Sequence, residues 1–173
     1  MNPEPDTKLL TDTRNTLQGA MGFLAAMAGG IEEAVGETAQ SVTYLAGVKL
    51  GKHFSKDASK TQDLYEALEE LRHVLRNANC MWHFEVFENG VDEEDGDGDT
   101  SDDKVDLVFR DCMIRQSLFL YGHNQKGSLC NMMFGFFSGA LDSIMDRESK
   151  LEIKHAGENA CLKRLSIRRT QAL

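Results

Sequence analysis

The spacing of hydrophobic positions changes period several times along the chain. Leu9, Leu10, Leu17, Met21, Leu24 and Met27 recur at intervals that share one face of a helix. Gly29 and Gly30 follow and predict a break, with a second helix over residues 31–54 carrying Val35, Val42, Leu45, Val48 and Leu50. A third helix is predicted from Ser59, an N-cap residue type, through Leu64, Leu68, Leu71 and Leu75 to Asn77 and Asn79. Over residues 80–87 the period drops to two: Trp82, Phe84 and Val86 alternate with Met81, His83 and Glu85. Val105, Leu107 and Phe109 repeat that alternation, which predicts two strands of a hairpin with a long tip. Residues 130–145 return to a helical pattern with Gly135, Ser138 and Gly139 on one side, a notch suited to close approach by a sheet or a ligand. Residues 151–154 and 162–168 read as short strands around a turn containing Gly157 and Asn159. The order predicts an α+β fold: N-terminal helices, a small antiparallel sheet, and a late helix packed on it.

With 173 residues, the chain is expected to form one domain over residues 1–173. An apolar content of 41% and a charged content of 27% suit a soluble globular protein. The most apolar stretch, residues 20–28, is too short to span a bilayer, and the acidic start lacks the positive charge of a secretory signal. A cytoplasmic location, with neither membrane nor nucleic acid as partner, is therefore expected of this chain of net charge −9. Eight of its 28 acidic residues lie in residues 92–103, which read as a solvated hairpin tip; the remainder is close to neutral. Asp95, Asp97 and Asp99 have alternate spacing, but Thr100 stands where a calcium loop needs glycine and Asp106 where it needs glutamate.

Candidate chemistry is sparse. Cys80, Cys112, Cys130 and Cys161 are scattered without a C-x-x-C pair, so each is first a small core residue, and structural disulfides are not expected. No nucleophile elbow, phosphate loop or dinucleotide fingerprint occurs, which argues against an enzyme. Met132, Met133, Phe134, Phe136 and Phe137 in the late helix, with Trp82, Phe84, Phe109, Phe119 and Tyr121, would suit a core or an adaptable apolar cavity. Arg115, Tyr121 and His123 are the polar groups expected at its mouth. The apolar stretch from Met21 to Met27 exceeds what a core layer needs and points to a symmetric dimer.

Residues 130–167 resemble the 4-vinyl reductase domain family, whose members pair a Cys-start helix carrying G-x-x-x-G with a hairpin ending in a glycine turn and a cysteine. Those elements are here Cys130, Gly135, Gly139, Gly157 and Cys161. YLAGVKLGKHF, residues 44–54, looks like the family's glycine-bearing second helix, and LVFRDCMIRQSL, residues 107–118, stands in the expected order. The resemblance covers most of residues 30–168. It implies an α/β plait similar to core subunits of the vesicle-tethering transport particle. It also implies a pocket for a small apolar or aromatic ligand, lined here by Trp82, Phe84, Phe109, Tyr121, His123, Met133, Phe134 and Phe137. In phenol-responsive regulators of this family a zinc ion is held by a cysteine at the helix start, Glu-x-x-Cys, and a final cysteine. The matching positions are Cys130, Glu152, His155 and Cys161, with histidine replacing a thiolate and a turn two residues shorter than usual. Cys112 with Cys130 and Cys161 is the alternative ligand set, better suited to an iron–sulfur cluster or a soft metal. The resemblance implies a sensor or carrier. The alternatives are an accessory protein of tetrapyrrole or bacteriochlorophyll metabolism, or a ligand-free interaction module using the late helix and the basic edge Lys163, Arg164, Arg168 and Arg169.

Overall fold

The structure is a computed structural model that describes residues 7–80, 82–87, 102–110, 112, 114–115, 125–157 and 160–169. Its elements run α1 (Thr7–Val35), α2 (Thr38–Phe54), α3 (Leu64–Asn77), β1 (His83–Val86), β2 (Asp102–Arg110), α4 (Ser128–Met145), β3 (Ser149–Ala156) and β4 (Ala160–Arg168). The α+β class stands as the pattern predicted it.

Two helix boundaries differ from the sequence expectation. α1 runs straight through Gly29 and Gly30, because glycine lowers helix propensity by only about 1 kcal/mol per residue while Ala25 and Ala28 are buried beneath it. The chain turns instead at Gly36, whose φ of 60° lies in the left-handed region and whose N–H donates to the Glu32 carbonyl at 2.8 Å. α3 begins after Asp63 rather than at Ser59. The Asp63 carboxylate accepts from the Glu66 N–H at 2.9 Å, and the Thr61 hydroxyl donates to Glu66 Oε2 at 2.6 Å. Residues 60–62 instead close a neighbouring helix, since Lys60, Thr61 and Gln62 donate to the carbonyls of Ser143, Ile144 and Met145, which end α4 without helical partners. The other end of α4 is also capped from outside, by Glu32 of α1, whose carboxylate accepts from the Ser128 N–H at 2.6 Å.

The sheet has the order β1-β2-β4-β3, antiparallel throughout. Directly opposed residues share a face, so the register defines inner rows: Phe84, Phe109, Cys161 and Ala156; Val86, Leu107, Lys163 and Ile153; Val105, Leu165 and Leu151. The outer face is charged. There Arg164 grips Asp106 through two bonds of 2.8 and 3.0 Å, and Lys154 stands 3.6 Å from the same carboxylate. Asp102 and Asp103, expected in the hairpin tip, belong to β2. Asp103 holds Arg147 and Arg169, each at 2.8 Å, which ties this end of the strand to the end of α4 and to the end of β4. Residues 92–101 lie outside the described residues.

α4 occupies the middle layer, with fourteen of its eighteen residues buried. On one side it meets the sheet, on the other α2. The expected notch is real, but another helix fills it. A Cβ added to Gly47 or Gly51 of α2 would lie 2.0 and 2.1 Å from the carbonyl oxygens of Met132 and Phe136. One added to Gly135 or Gly139 of α4 would lie 2.0 and 2.2 Å from those of Tyr44 and Val48. The four glycines interlock two backbones, leaving the other flank of α4 to build the core against the sheet.

Candidate functional site

Between α4 and the sheet lies a layer of aromatic rings. Phe137 of α4 is at its centre, with ring centroids of Phe109 at 5.2 Å, Phe84 at 5.8 Å and Trp82 at 6.0 Å. Trp82 also meets Phe136 edge-on at 5.4 Å, and the Arg72 guanidinium of α3 covers the outer side of Phe84 at 4.8 Å. Of the residues expected to line a pocket, Phe84, Phe109, Met133, Phe134 and Phe137 are buried and join one core cluster, with Trp82 half-buried against it. The same residues are thus core and candidate site. Tyr121, His123 and Phe119 lie outside the described residues. Arg115, expected at the mouth, donates to the Gly157 carbonyl in the β3–β4 turn.

Two polar groups interrupt this apolar layer. The indole Nε1 of Trp82 is buried and meets no hydrogen-bond acceptor among the described residues. The second is Lys163, which sequence reading placed on a basic surface edge. The register points it inward between Leu107 and Ile153, and it is only 2% exposed. Its Nζ lies 3.1 Å from Met133 Sδ, 4.2 Å from the centre of the Phe109 ring and 5.1 Å from that of Phe134. The signal was present in the sequence. Cys161, Leu165 and Ile167 fix the parity of the apolar face of β4, and Lys163 shares it.

Burial pulls the Lys163 ammonium below the usual lysine range, and the sulfurs of Cys112, Cys130 and Cys161 lie close enough that a thiolate formed on any of them would oppose that shift. Burial also pushes the thiols of Cys130 and Cys161 up, so both stay protonated at neutral pH. All four cysteines are free.

The ligand set drawn from the family resemblance does not assemble. Cys130, at the start of α4, and Cys161, on the inner face of β4, converge toward Cys112 and Lys163. Glu152 and His155 stand on the other side of the sheet. Glu152 opposes Arg164 and pairs with Lys150 at 2.7 Å, and His155 opposes Leu162. An irregularity between Ile153 and His155 brings these two residues to one face, but it is the outer one. Among the described residues no group of three or more His, Cys, Asp and Glu side chains is spaced to hold a metal ion. The four residues therefore do not fit a tetrahedral zinc, and the three thiols are not at ligand spacing for a cluster or soft metal.

An open groove of about 780 Å³ meets the buried aromatic core at Phe134, while Trp82, Phe84, Phe109, Phe136 and Phe137 do not line it. It runs between α2, α4 and the edge strand β3, and Tyr44, Asn131, Phe134, Leu151 and Ile153 are among the residues that line it. Phe134 thus lines the groove and also has the Lys163 amine 5.1 Å from its ring centre. Among the described residues no helix is long and apolar enough to cross a membrane.

No family model matches the sequence, and no curated protein matches it. The fold is similar to that of the phenol-responsive sensory domain of the transcription activator PoxR, solved with phenol. The TM-score is 0.62 at 13% identity, over 86% of this chain and 74% of that one. At this identity the likeness is one of fold.

Proposed function

We propose that the domain binds a small apolar or aromatic molecule against the ring layer between α4 and the sheet, and acts as a sensor or carrier rather than an enzyme. The observation that carries this reading is the indole N–H of Trp82, buried and without an acceptor among the described residues, at the edge of the packed rings of Phe136 and Phe137. A buried donor without acceptor is costly, and an aromatic ligand with one acceptor would relieve it while adding to the stack. The likeness of fold to a sensory domain solved with phenol supports the same class of ligand. Native mass spectrometry of purified protein tests the reading. The expected spectrum carries an adduct of small-molecule mass, or acquires one on adding phenol; a bare chain after exposure to phenol, toluene and benzoate overturns it.

The reading includes a symmetric dimer. Phe23, Leu24, Met27, Ile31 and Val35 of α1 and Val42, Leu45 and Leu50 of α2 are exposed large apolar side chains on two consecutive helices, the kind of surface that marks an interaction site. A second copy of the same chain covers such a surface with itself.

A further inference from the structure

Lys163 has no structural reason to be a lysine. Its neighbours in the row are Leu107 and Ile153, and the positions two before and two and four after it on the inner face of β4 are Cys161, Leu165 and Ile167. Methionine or leucine would fill the same space without burying an amine. Three N–H donors are met, among the described residues, by one thioether, a weak acceptor on the side chain that repacks most easily. Among the described residues the titratable groups facing the amine are the thiols of Cys112, Cys130 and Cys161, with no carboxylate. The site therefore holds amine donors with no strong acceptor among the described residues, walled by two aromatic rings, one of which also lines an open groove.

We propose that Lys163 recognises the carboxylate of a small aromatic acid, which enters from the groove past Phe134 and displaces the Met133 thioether from the amine. The carboxylate oxygens accept charge-assisted hydrogen bonds from Nζ, which are strongest where water is excluded. The ring of the acid replaces the thioether contact and packs on Phe109 and Phe134. This rests on the reading of the domain as a small-molecule binder and places the acid at Lys163 rather than at the Trp82 indole: the domain selects anions of apolar acids over neutral molecules of the same shape.

Calorimetric titration of the full chain with benzoate and with nitrobenzene, a neutral molecule of nearly the same shape, tests it. Wild type is expected to bind benzoate at least tenfold more tightly than nitrobenzene. K163M should lose at least tenfold in benzoate affinity and bind nitrobenzene no more weakly than wild type does. Equal affinity of wild type for the two probes, or full benzoate affinity in K163M, overturns the inference; the wild-type comparison suffices should K163M not fold. Wild type that binds nitrobenzene or phenol but not benzoate refutes this inference and leaves small-molecule binding standing. Wild type that binds none of the three defeats both.

Discussion

Gly47→Ala tests the closeness of the α2–α4 crossing that fixes which flank of α4 faces the sheet. The new Cβ would lie 2.0 Å from the Met132 carbonyl oxygen and 2.8 Å from the Phe136 nitrogen, where ordinary contact begins at 3.4 Å. The helices must separate locally by about 1.4 Å, since both obstructing atoms are backbone and no rotamer change removes them. A gap of that size forfeits a large part of the dispersion energy along the crossing, and overpacking of this kind costs about 1–3 kcal/mol, occasionally more. Because both obstructing atoms are backbone the upper end of that range applies, and alanine returns about 1 kcal/mol through its helix propensity, so a net loss of about 2 kcal/mol is expected. For a chain of this size that lowers Tm by about 4–8 °C. Gly30→Ala is the control: nothing lies within 4 Å of its Cβ inside α1, and it should gain about 0.5–1 kcal/mol. Urea unfolding followed by far-UV circular dichroism reads both. A Gly47→Ala protein as stable as wild type, beside a stabilised Gly30→Ala, would refute the crossing as described.

Three further outcomes are expected. Burial works to raise the Asp106 carboxyl, but the hydrogen bonds and charge of Arg164, with Lys154, outweigh it and hold the group below the usual carboxylate range. A depressed carboxyl stabilises the fold above its unfolded pKa and stops doing so as pH falls through the folded value. Asp106→Asn should therefore cost about 1–3 kcal/mol at pH about 7 and progressively less as pH falls through the folded value, read by urea unfolding across that range; a constant difference contradicts the pairing. Gly36→Ala forces a Cβ into φ of 60° and should cost about 1–2 kcal/mol; thermal unfolding at or above the wild-type temperature would show that the turn is made otherwise. Light scattering should find a dimer that Leu45→Glu, placed on the exposed face of α2, converts to a monomer of unchanged helicity; a monomeric wild type across a wide concentration range rules the interface out.

The elements were legible wherever one period ran long enough. Leu64, Leu68, Leu71 and Leu75 specify α3, and the alternations through Phe84 and Phe109 specify two strands that the structure pairs opposite each other. What failed was local punctuation judged without its tertiary setting. Gly29 and Gly30 resemble a stop, but burial of Ala25 and Ala28 carries α1 past them, whereas Gly36 is the residue whose backbone needs glycine. Ser59 resembles a cap, yet its segment is committed to the end of α4. The notch in α4 was readable as close approach, but the matching Gly47 and Gly51 lie 88 residues earlier, and spacing alone does not say which surface fills a notch. The same holds at the site. The aromatic residues were legible as a cluster; the inward turn of Lys163 was legible only by parity and ran against the usual exposure of lysine. The faces of Glu152 and His155 depend on a strand irregularity that local sequence does not announce.

Trp82 is the chain's single tryptophan and lies against Phe136 and Phe137, so its fluorescence reports on the ring layer without any label. Titration of the purified chain with toluene and with phenol, exciting tryptophan alone, is the most direct measurement of small-molecule binding there. Binding against the layer predicts a saturable change in emission, with phenol the tighter of the two because its oxygen accepts from Nε1. Emission that stays constant, or drifts linearly without saturation up to millimolar concentrations of both, would contradict it.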